Sequence, residues 1–390
     1  AGGDREKTMS EHLGTESLVQ GDRAPDFMLP DQHRQVDPFY TLVQGGPILL
    51  HFFPGFGKPA DERELKRIAA KADALKQAGV EVYAIALGDF AANCKAALDR
   101  KLPFEVFTDP QGAVHERYGL MAHHLGSKPD IVTYLLDPNQ RVLAAFTEGA
   151  KPQVDRALAT LAKTPAEPPR TITRTAPVLL IPGVLDRPFC RKLIDIWHSH
   201  NEPSGTITMG EKGSATKADR DQVKRRRDHH VRDKDLFEEI EARVFARVAP
   251  EIFTAYDREV EGVEEFKIVR YDSTEGGFFR PHRDNVVPDM AHRRFAMTLN
   301  LNTEEYEGGD LRFPEYGPDL YRPGTGDAVI FSCSLLHEAM DVTKGERFTL
   351  LSFILDGQPD QWRAERRDWF DEERRSIEAG LAQRRGAVVR

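Results

Sequence analysis

The stretch Phe266-Lys-Ile-Val-Arg-Tyr-Asp-Ser-Thr-Glu-Gly-Gly-Phe-Phe-Arg-Pro-His-Arg-Asp-Asn285 holds the decisive pattern. Residues two apart on a strand point to the same face, so His282 and Asp284 can converge on one ion. A third ligand has to come from elsewhere in the chain. His337 closes Gly326-Asp-Ala-Val-Ile-Phe-Ser-Cys-Ser-Leu-Leu-His337, an apolar run that reads as a strand carrying a ligand into the core. Several strands are expected from Glu264 to Leu355, and they frame this site.

Two histidines and a carboxylate on one face of an octahedron leave three positions open, the donor set of non-haem Fe(II) oxygenases. Those positions suit a bidentate 2-oxo acid and O2. Asp284 stands where an iron halogenase needs a residue that does not ligate, so hydroxylation is the expected outcome. An isolated His-x-Asp is a weak signal. Further features strengthen it. Arg347 follows His337 by ten residues and, facing inward, is expected to pair bidentately with the distal carboxylate of 2-oxoglutarate. Thr349 shares that face and can add a hydroxyl hydrogen bond. In Tyr306-Glu-Gly-Gly-Asp-Leu-Arg-Phe-Pro-Glu315 two glycines permit close backbone approach beside the site. Tyr271 precedes His282 by eleven residues, and its hydroxyl is a candidate cosubstrate contact. The competing readings are a surface salt bridge for Arg347, a bulged hairpin for the glycines and a half-buried strand residue for Tyr271.

The 390 residues are too many for one typical core and suggest two or three domains. A net charge of −9 argues against a nucleic-acid binder, which is usually basic. No apolar run approaches the roughly 20 residues that cross a bilayer, so no membrane association is expected. Cys94, Cys190 and Cys333 are scattered without a CxxC pair, which fits a reducing cytoplasm. Residues 1–17 are expected as a flexible polar tail without a secretion signal, with Met9 a candidate start. An α/β domain follows over 18–163. It is built from the strand Pro47 to Phe53, a helix from Asp61 to Ala78, the strand Val80 to Leu87, a helix near Ala91 to Arg100, a hairpin from Ile131 and a helix from Gln153 to Lys163. The proline-rich 164–176 reads as a linker. A second domain over 177–357 opens with helical stretches near Pro188 to His200 and Asp235 to Asp257. Residues 358–390 read as a charged helix that Trp362, Trp369 and Phe370 can dock.

From Pro177 to Asp356 the chain resembles the prolyl-4-hydroxylase branch of the 2-oxoglutarate oxygenases. The matching elements are Tyr271, His282-Arg-Asp-Asn285, Arg293, Leu301-Asn302, Gly308-Gly-Asp-Leu-Arg-Phe-Pro-Glu315, Gly326-Asp327, His337 and Arg347, in that order. The resemblance implies a double-stranded β-helix (jelly-roll) with flanking helices, holding Fe(II) on His282, Asp284 and His337. It implies 2-oxoglutarate as cosubstrate with O2, and ascorbate to keep the iron reduced. Oxidative decarboxylation to succinate and CO2 would drive hydroxylation of a C–H bond. By the same alignment Asn300 falls at a cosubstrate-contacting position commonly held by tyrosine, and Arg293 near the substrate mouth.

Gly21 to about Gly149 resembles a peroxiredoxin of the thioredoxin superfamily, through Gly21-Asp-Arg-Ala-Pro-Asp-Phe27, Phe52-Phe-Pro54, Glu64-Leu65, Phe107-Thr-Asp109 and Tyr118-Gly119. Aligned without a gap from Phe52-Phe-Pro54, Lys58 occupies the position of the family's threonine and Asp61 that of its peroxide-reducing cysteine. Ile131, beside Thr133, takes the place of its arginine. A carboxylate cannot replace a thiolate as nucleophile, so this α/β thioredoxin-like domain is expected to be inert. Cys94 is read as a small apolar filler.

The basic run Lys224-Arg-Arg-Arg-Asp-His-His230 reads by default as a solvated loop, and alternatively as a lid attracting acidic substrates. His229, His230 and His292 are read as surface histidines without a carboxylate partner; His123, His124, His198 and His200 as structural or exposed. The expected function is hydroxylation of a prolyl or other side chain of a peptide or protein. A free amino acid or small metabolite, or a non-catalytic iron- and oxygen-responsive binding protein, are the alternatives. A homodimer is a further expectation.

Overall fold

The computed structural model describes residues 17–121, 131–147, 152–163, 168–169, 171–204, 208–209, 215–216, 222–285, 290, 292–356 and 375. The expected tail (Ser17 apart), His123 and His124, and the expected C-terminal helix (Arg375 apart) lie outside them. The chain divides into two compact units at Pro169 and Arg170.

In the first unit the apolar run Ile48–Phe53 is buried along its whole length. It is the middle strand of a five-stranded sheet ordered Glu105–Asp109, Glu81–Leu87, Ile48–Phe53, Val132–Leu136, Val142–Phe146. The first three strands run parallel to one another, Val132–Leu136 runs against Ile48–Phe53, and Val142–Phe146 runs against Val132–Leu136. Alternate residues serve opposite faces: Ile48, Leu50 and Phe52 join one core, Leu49 and Phe53 the other. Fully burying each such side chain contributes about 1.5–3 kcal/mol. The single helix expected over 61–78 is two, Pro59–Ala70 and Ala72–Gln77. They meet at Lys71, whose ψ of 5° leaves the helical range. The strand Glu105–Asp109 is an addition to the expected elements.

The second unit is a two-sheet β-helix. Its larger sheet runs Val178–Ile181, Ala328–Ser332, Phe295–Asn300, Glu346–Asp356, Lys267–Asp272, Arg227–His230, Glu202–Pro203, with Val260–Val263 also on Glu346–Asp356. The smaller sheet runs Lys224–Arg225, Phe278–His282, His337–Ala339, Leu311–Arg312, Leu320–Tyr321. The helices Arg187–Ser199 and Lys234–Tyr256 each begin on an aspartate cap, Asp186 and Asp233. They share one core with Ile268, Met297, Leu299, Phe348 and Leu350 of the larger sheet. The alternate residues of those strands, among them Val269, Tyr271, Asn300, Arg347 and Thr349, therefore face inward, between the sheets. Ala176 is buried and its N–H donates to the Tyr321 hydroxyl, so packing of this unit begins ahead of Pro177. No helix among the described residues is long and apolar enough to cross a membrane.

Candidate metal and cosubstrate site

His282 ends the strand Phe278–His282, and His337 opens the strand His337–Ala339; the two are register partners. The register slips between Phe279 and His282. Pro281, which has no N–H for the ladder, lies in this bulge, and such a bulge re-aims the residue that follows. Asp284 Oδ1 lies 3.4 Å from His282 Nε2, and its Oδ2 3.4 Å from His337 Nε2. The three ligand atoms lie within 4.8 Å of one another, and no other such group occurs among the described residues.

Two details differ from the reading by strand periodicity. The strand stops at His282, and Asp284 lies on a bend, held where its N–H donates to Cys333 O at 3.0 Å. His337 does not close the strand Ala328–Ser332; the chain turns over 333–336 and re-enters in the opposite sheet. That change of sheet sets the two histidines side by side.

His282 Nδ1 lies 2.8 Å from Arg280 O and His337 Nδ1 3.0 Å from Leu335 O. A carbonyl only accepts, so both Nδ1 atoms carry the proton and both Nε2 lone pairs face Asp284. Burial pushes the Asp284 carboxyl up, but in the metal-free site protonation of the imidazoles, through the His337 charge and a His282 hydrogen bond, outweighs it and holds the carboxyl below its usual range. Burial lowers the His337 imidazole. Both shifts favour the forms that bind a metal. Phe279 stacks on His282 at 3.5 Å between centroids, and Phe331 packs on His337 at 4.6 Å.

Arg347 is 3% exposed and has no carboxylate partner among the described residues. Its Nη2 donates to Asn300 Oδ1 at 3.3 Å, while Nε has no partner; nor has Thr349 Oγ1, on a fully buried residue of the same face. A buried guanidinium without a counter-ion is strongly unfavourable. These orphaned groups fit a ligand carboxylate, and the His/His/Asp set fits Fe(II). The glycine pair supports the arginine. At Gly309, with φ +66°, a Cβ would stand 3.0 Å from Arg347 Cδ and 2.8 Å from Val342 Cγ2.

The other expected residues are placed as follows. Tyr271 pairs in register with Arg347 and its ring lies 5.3 Å from that guanidinium. Asn300 is buried beside Arg347, but its Nδ2 hydrogens go to the Tyr306 hydroxyl and Pro323 O. It holds Arg347 and has no donor left for a cosubstrate. Arg293 is clamped by Glu264 at 2.7 and 2.5 Å and stacks on Phe353; that pairing is structural. His292 also meets Glu264, at 3.2 Å, and His230 meets Glu265, at 3.0 Å, so both have the carboxylate partner that the sequence withheld. The run Lys224–Arg227 is not a solvated loop. Lys224 is buried and the Arg226 side chain nearly so, because Asp228, Ser204 and the rings of Tyr271 and Phe279 receive Arg226 and the Phe279 ring receives Lys224. Arg226, Phe279 and Tyr306 also wall the site, roles that their motifs did not announce; the i, i+2 pair Arg226 and Asp228 was the available signal.

In the first unit Asp61 is buried in the first turn of Pro59–Ala70, and Lys58 before it is exposed. Cys94 lies on the helix Phe90–Arg100, and burial pushes its thiol up, away from a reactive thiolate.

Comparisons with known proteins agree with this division. Residues 20–145 match the AhpC/TSA family and residues 266–355 the 2OG-Fe(II) oxygenase superfamily. A Mycobacterium tuberculosis protein named as a peroxiredoxin is 26% identical over 148 residues, 37% of this chain and 96% of its own length. A PKHD-type hydroxylase of Alteromonas mediterranea is 32% identical over 101 residues, 25% of this chain and 45% of that protein. A Caenorhabditis elegans multifunctional procollagen lysine hydroxylase and glycosyltransferase is 34% identical over 101 residues, 25% of this chain and 13% of that one. The chain thus spans under half the length of these two hydroxylases. Among solved structures, peroxidoxin BcpB of M. tuberculosis aligns at 25% identity over 38% of this chain and 99% of its own, with TM-score 0.36. The chain therefore joins an AhpC/TSA, peroxiredoxin-like domain of thioredoxin fold to a 2OG-Fe(II) oxygenase domain of jelly-roll type, and the second of these makes it a dioxygenase.

Proposed function

We propose that the chain hydroxylates an unactivated C–H bond, on a prolyl or other side chain of a peptide or protein, with succinate and CO2 as co-products. The observation that carries the cosubstrate is Arg347, a buried guanidinium with no counter-ion among the described residues. His282, His337 and Asp284 would hold Fe(II), with the imidazole protons kept on Nδ1 by Arg280 O and Leu335 O. Bound there, Fe(II) with 2-oxoglutarate couples O2 reduction to oxidative decarboxylation. Arg347 and Thr349 would bind the distal carboxylate, with Tyr271 beside them. Phe279 and Phe331 keep water from the ligand rings. Relatives named as procollagen lysine hydroxylases support a protein side chain as substrate.

Anaerobic addition of Fe(II) and then 2-oxoglutarate tests the site. A visible charge-transfer band is expected, absent in His282→Ala and requiring far more cosubstrate in Arg347→Ala. Metal-replete protein that gives no band and binds no 2-oxoglutarate overturns the reading. Substrate-dependent succinate above the uncoupled background then separates a hydroxylase from a binding protein.

For the first unit we propose a scaffold or partner-docking role, which Asp61 in the thiolate position supports. Thiol-dependent peroxidase activity lost in Cys94→Ser would refute it. The three cysteines form no disulfide, which supports a cytoplasmic setting.

A further inference from the structure

Arg226 is the residue at which the chain passes from the smaller sheet, at Lys224–Arg225, to the larger one, at Arg227–His230. Arg227 pairs with Arg270, so Arg226 comes level with Tyr271, and Tyr271 is level with Arg347. Arg226, Tyr271 and Arg347 therefore form one inward row, on two adjacent strands and the residue just ahead of a third.

The Arg226 side chain is only 8% exposed. Its Nη1 donates to the Tyr271 hydroxyl, its Nη2 to Asp228 Oδ2 and its Nε to Ser204 Oγ, each at 3.2 Å. Ser204 in turn donates to Asp228 Oδ2 at 2.6 Å. The guanidinium carbon also lies 5.3 Å from the ring of Phe279, the ring stacked on His282.

A guanidinium has donors only, so the Tyr271 oxygen is the acceptor of that bond. The phenol proton must then go to another acceptor, and among the described residues none takes it. Asp228 balances the Arg226 charge, so Arg226 contributes direction to this row and little net charge. Arg347 has no balancing carboxylate among the described residues. The row presents one unmatched cation beside one aimed phenol proton.

We propose that Arg226 is a positioning residue for the cosubstrate: it fixes Tyr271 as a proton donor to the same distal carboxylate that Arg347 binds. The proposal rests on the 2-oxoglutarate reading above. It makes selection of a dicarboxylic over a monocarboxylic 2-oxo acid the joint property of Arg347 and of the Arg226–Tyr271 pair.

The test is calorimetric binding of 2-oxoglutarate and of 2-oxobutyrate, which lacks the distal carboxylate, to the full chain loaded with Mn(II) in place of iron. The variants are Tyr271→Phe, Arg226→Met with Asp228→Asn so that no buried charge is stranded, and all three changes together. Tyr271→Phe and the paired change are each expected to weaken 2-oxoglutarate by about 10- to 100-fold, the worth of one hydrogen bond to a charged group. The triple variant should be no weaker than Tyr271→Phe, and 2-oxobutyrate should bind all of them alike. Losses that multiply in the triple variant overturn the proposal, as do equal losses for both acids, which would mark general damage. Arg226→Lys keeps a cation beside Asp228; if the paired change does not fold, it carries the same comparison against Tyr271→Phe. Wild-type protein that binds both acids equally overturns the cosubstrate reading itself, a different outcome from additive losses.

Discussion

His282 and His337 stand opposite each other on neighbouring strands, and each gives its Nδ1 proton to the carbonyl two residues before it, Arg280 O and Leu335 O. The same local device on two strands leaves both Nε2 atoms available on one side, against Asp284. Main chain orients the rings, so side-chain changes around the site act on them mainly through packing.

Phe279 is the packing residue that matters most, because its ring lies flat against His282. Phe279→Ala should lower Mn(II) or Fe(II) affinity by about 10-fold, the low end for loss of a ligand-supporting contact. His282→Ala and His337→Ala should abolish binding. Metal titration by calorimetry measures both; unchanged affinity in Phe279→Ala would mean that the backbone bonds alone hold the ring.

Gly309→Ala places a Cβ against Arg347 Cδ and Val342 Cγ2 at a backbone with φ +66°. Loss of about 1–2 kcal/mol in stability is expected from the left-handed conformation alone. Because Arg347 must shift, 2-oxoglutarate affinity should fall while metal affinity holds. Denaturant melts and the two binding constants separate the effects.

Arg347→Met removes a buried charge that has no counter-ion among the described residues. The ligand-free protein should melt no lower than wild type, whereas 2-oxoglutarate affinity should fall by about 10- to 100-fold, the range for a hydrogen-bonded charge. Added 2-oxoglutarate should raise the wild-type Tm and leave that of the variant in place. A large drop in the ligand-free Tm would show that Arg347 has a structural partner.

His51 lies buried in the middle strand of the first unit, bonded to the Thr133 hydroxyl, and burial lowers its pKa to about 3. Unfolded, it takes a proton near the ordinary histidine value of 6.5. The folded state therefore binds fewer protons between these values. Stability from this group is complete above pH 6.5 and is lost as pH falls toward 3, by about 1.4 kcal/mol per pH unit. His51→Gln should flatten that acid limb for the first unit, as followed by amide exchange between pH 7 and 4. An unchanged limb would assign the acid sensitivity elsewhere.

Much of this was legible in order along the chain. The strand Ile48–Phe53 showed as an apolar run, the helix Arg187–Ser199 as a periodic one, and the ligands as a His-x-Asp with a distant His. The run Lys224–Arg227 was misread, because charge density reads as solvation unless the partners are known. Asp228 lies two residues from Arg226, but Ser204, 22 residues away, and Tyr271 and Phe279 reach it only through the fold.

By itself the sequence determined the two-domain order, the candidate metal donor set and the candidate anion-binding arginine, since these depend on residue type and on local periodicity. Tertiary structure decided which groups are left unsatisfied. Asn300, Arg293 and Arg226 are all polar residues of one domain, yet Asn300 holds Arg347, Arg293 is clamped by Glu264 and Arg226 turns toward Tyr271. Those outcomes follow from strand register and from the change of sheet before His337, which bring together groups far apart in sequence. Burial then makes each pairing, or its absence, count energetically.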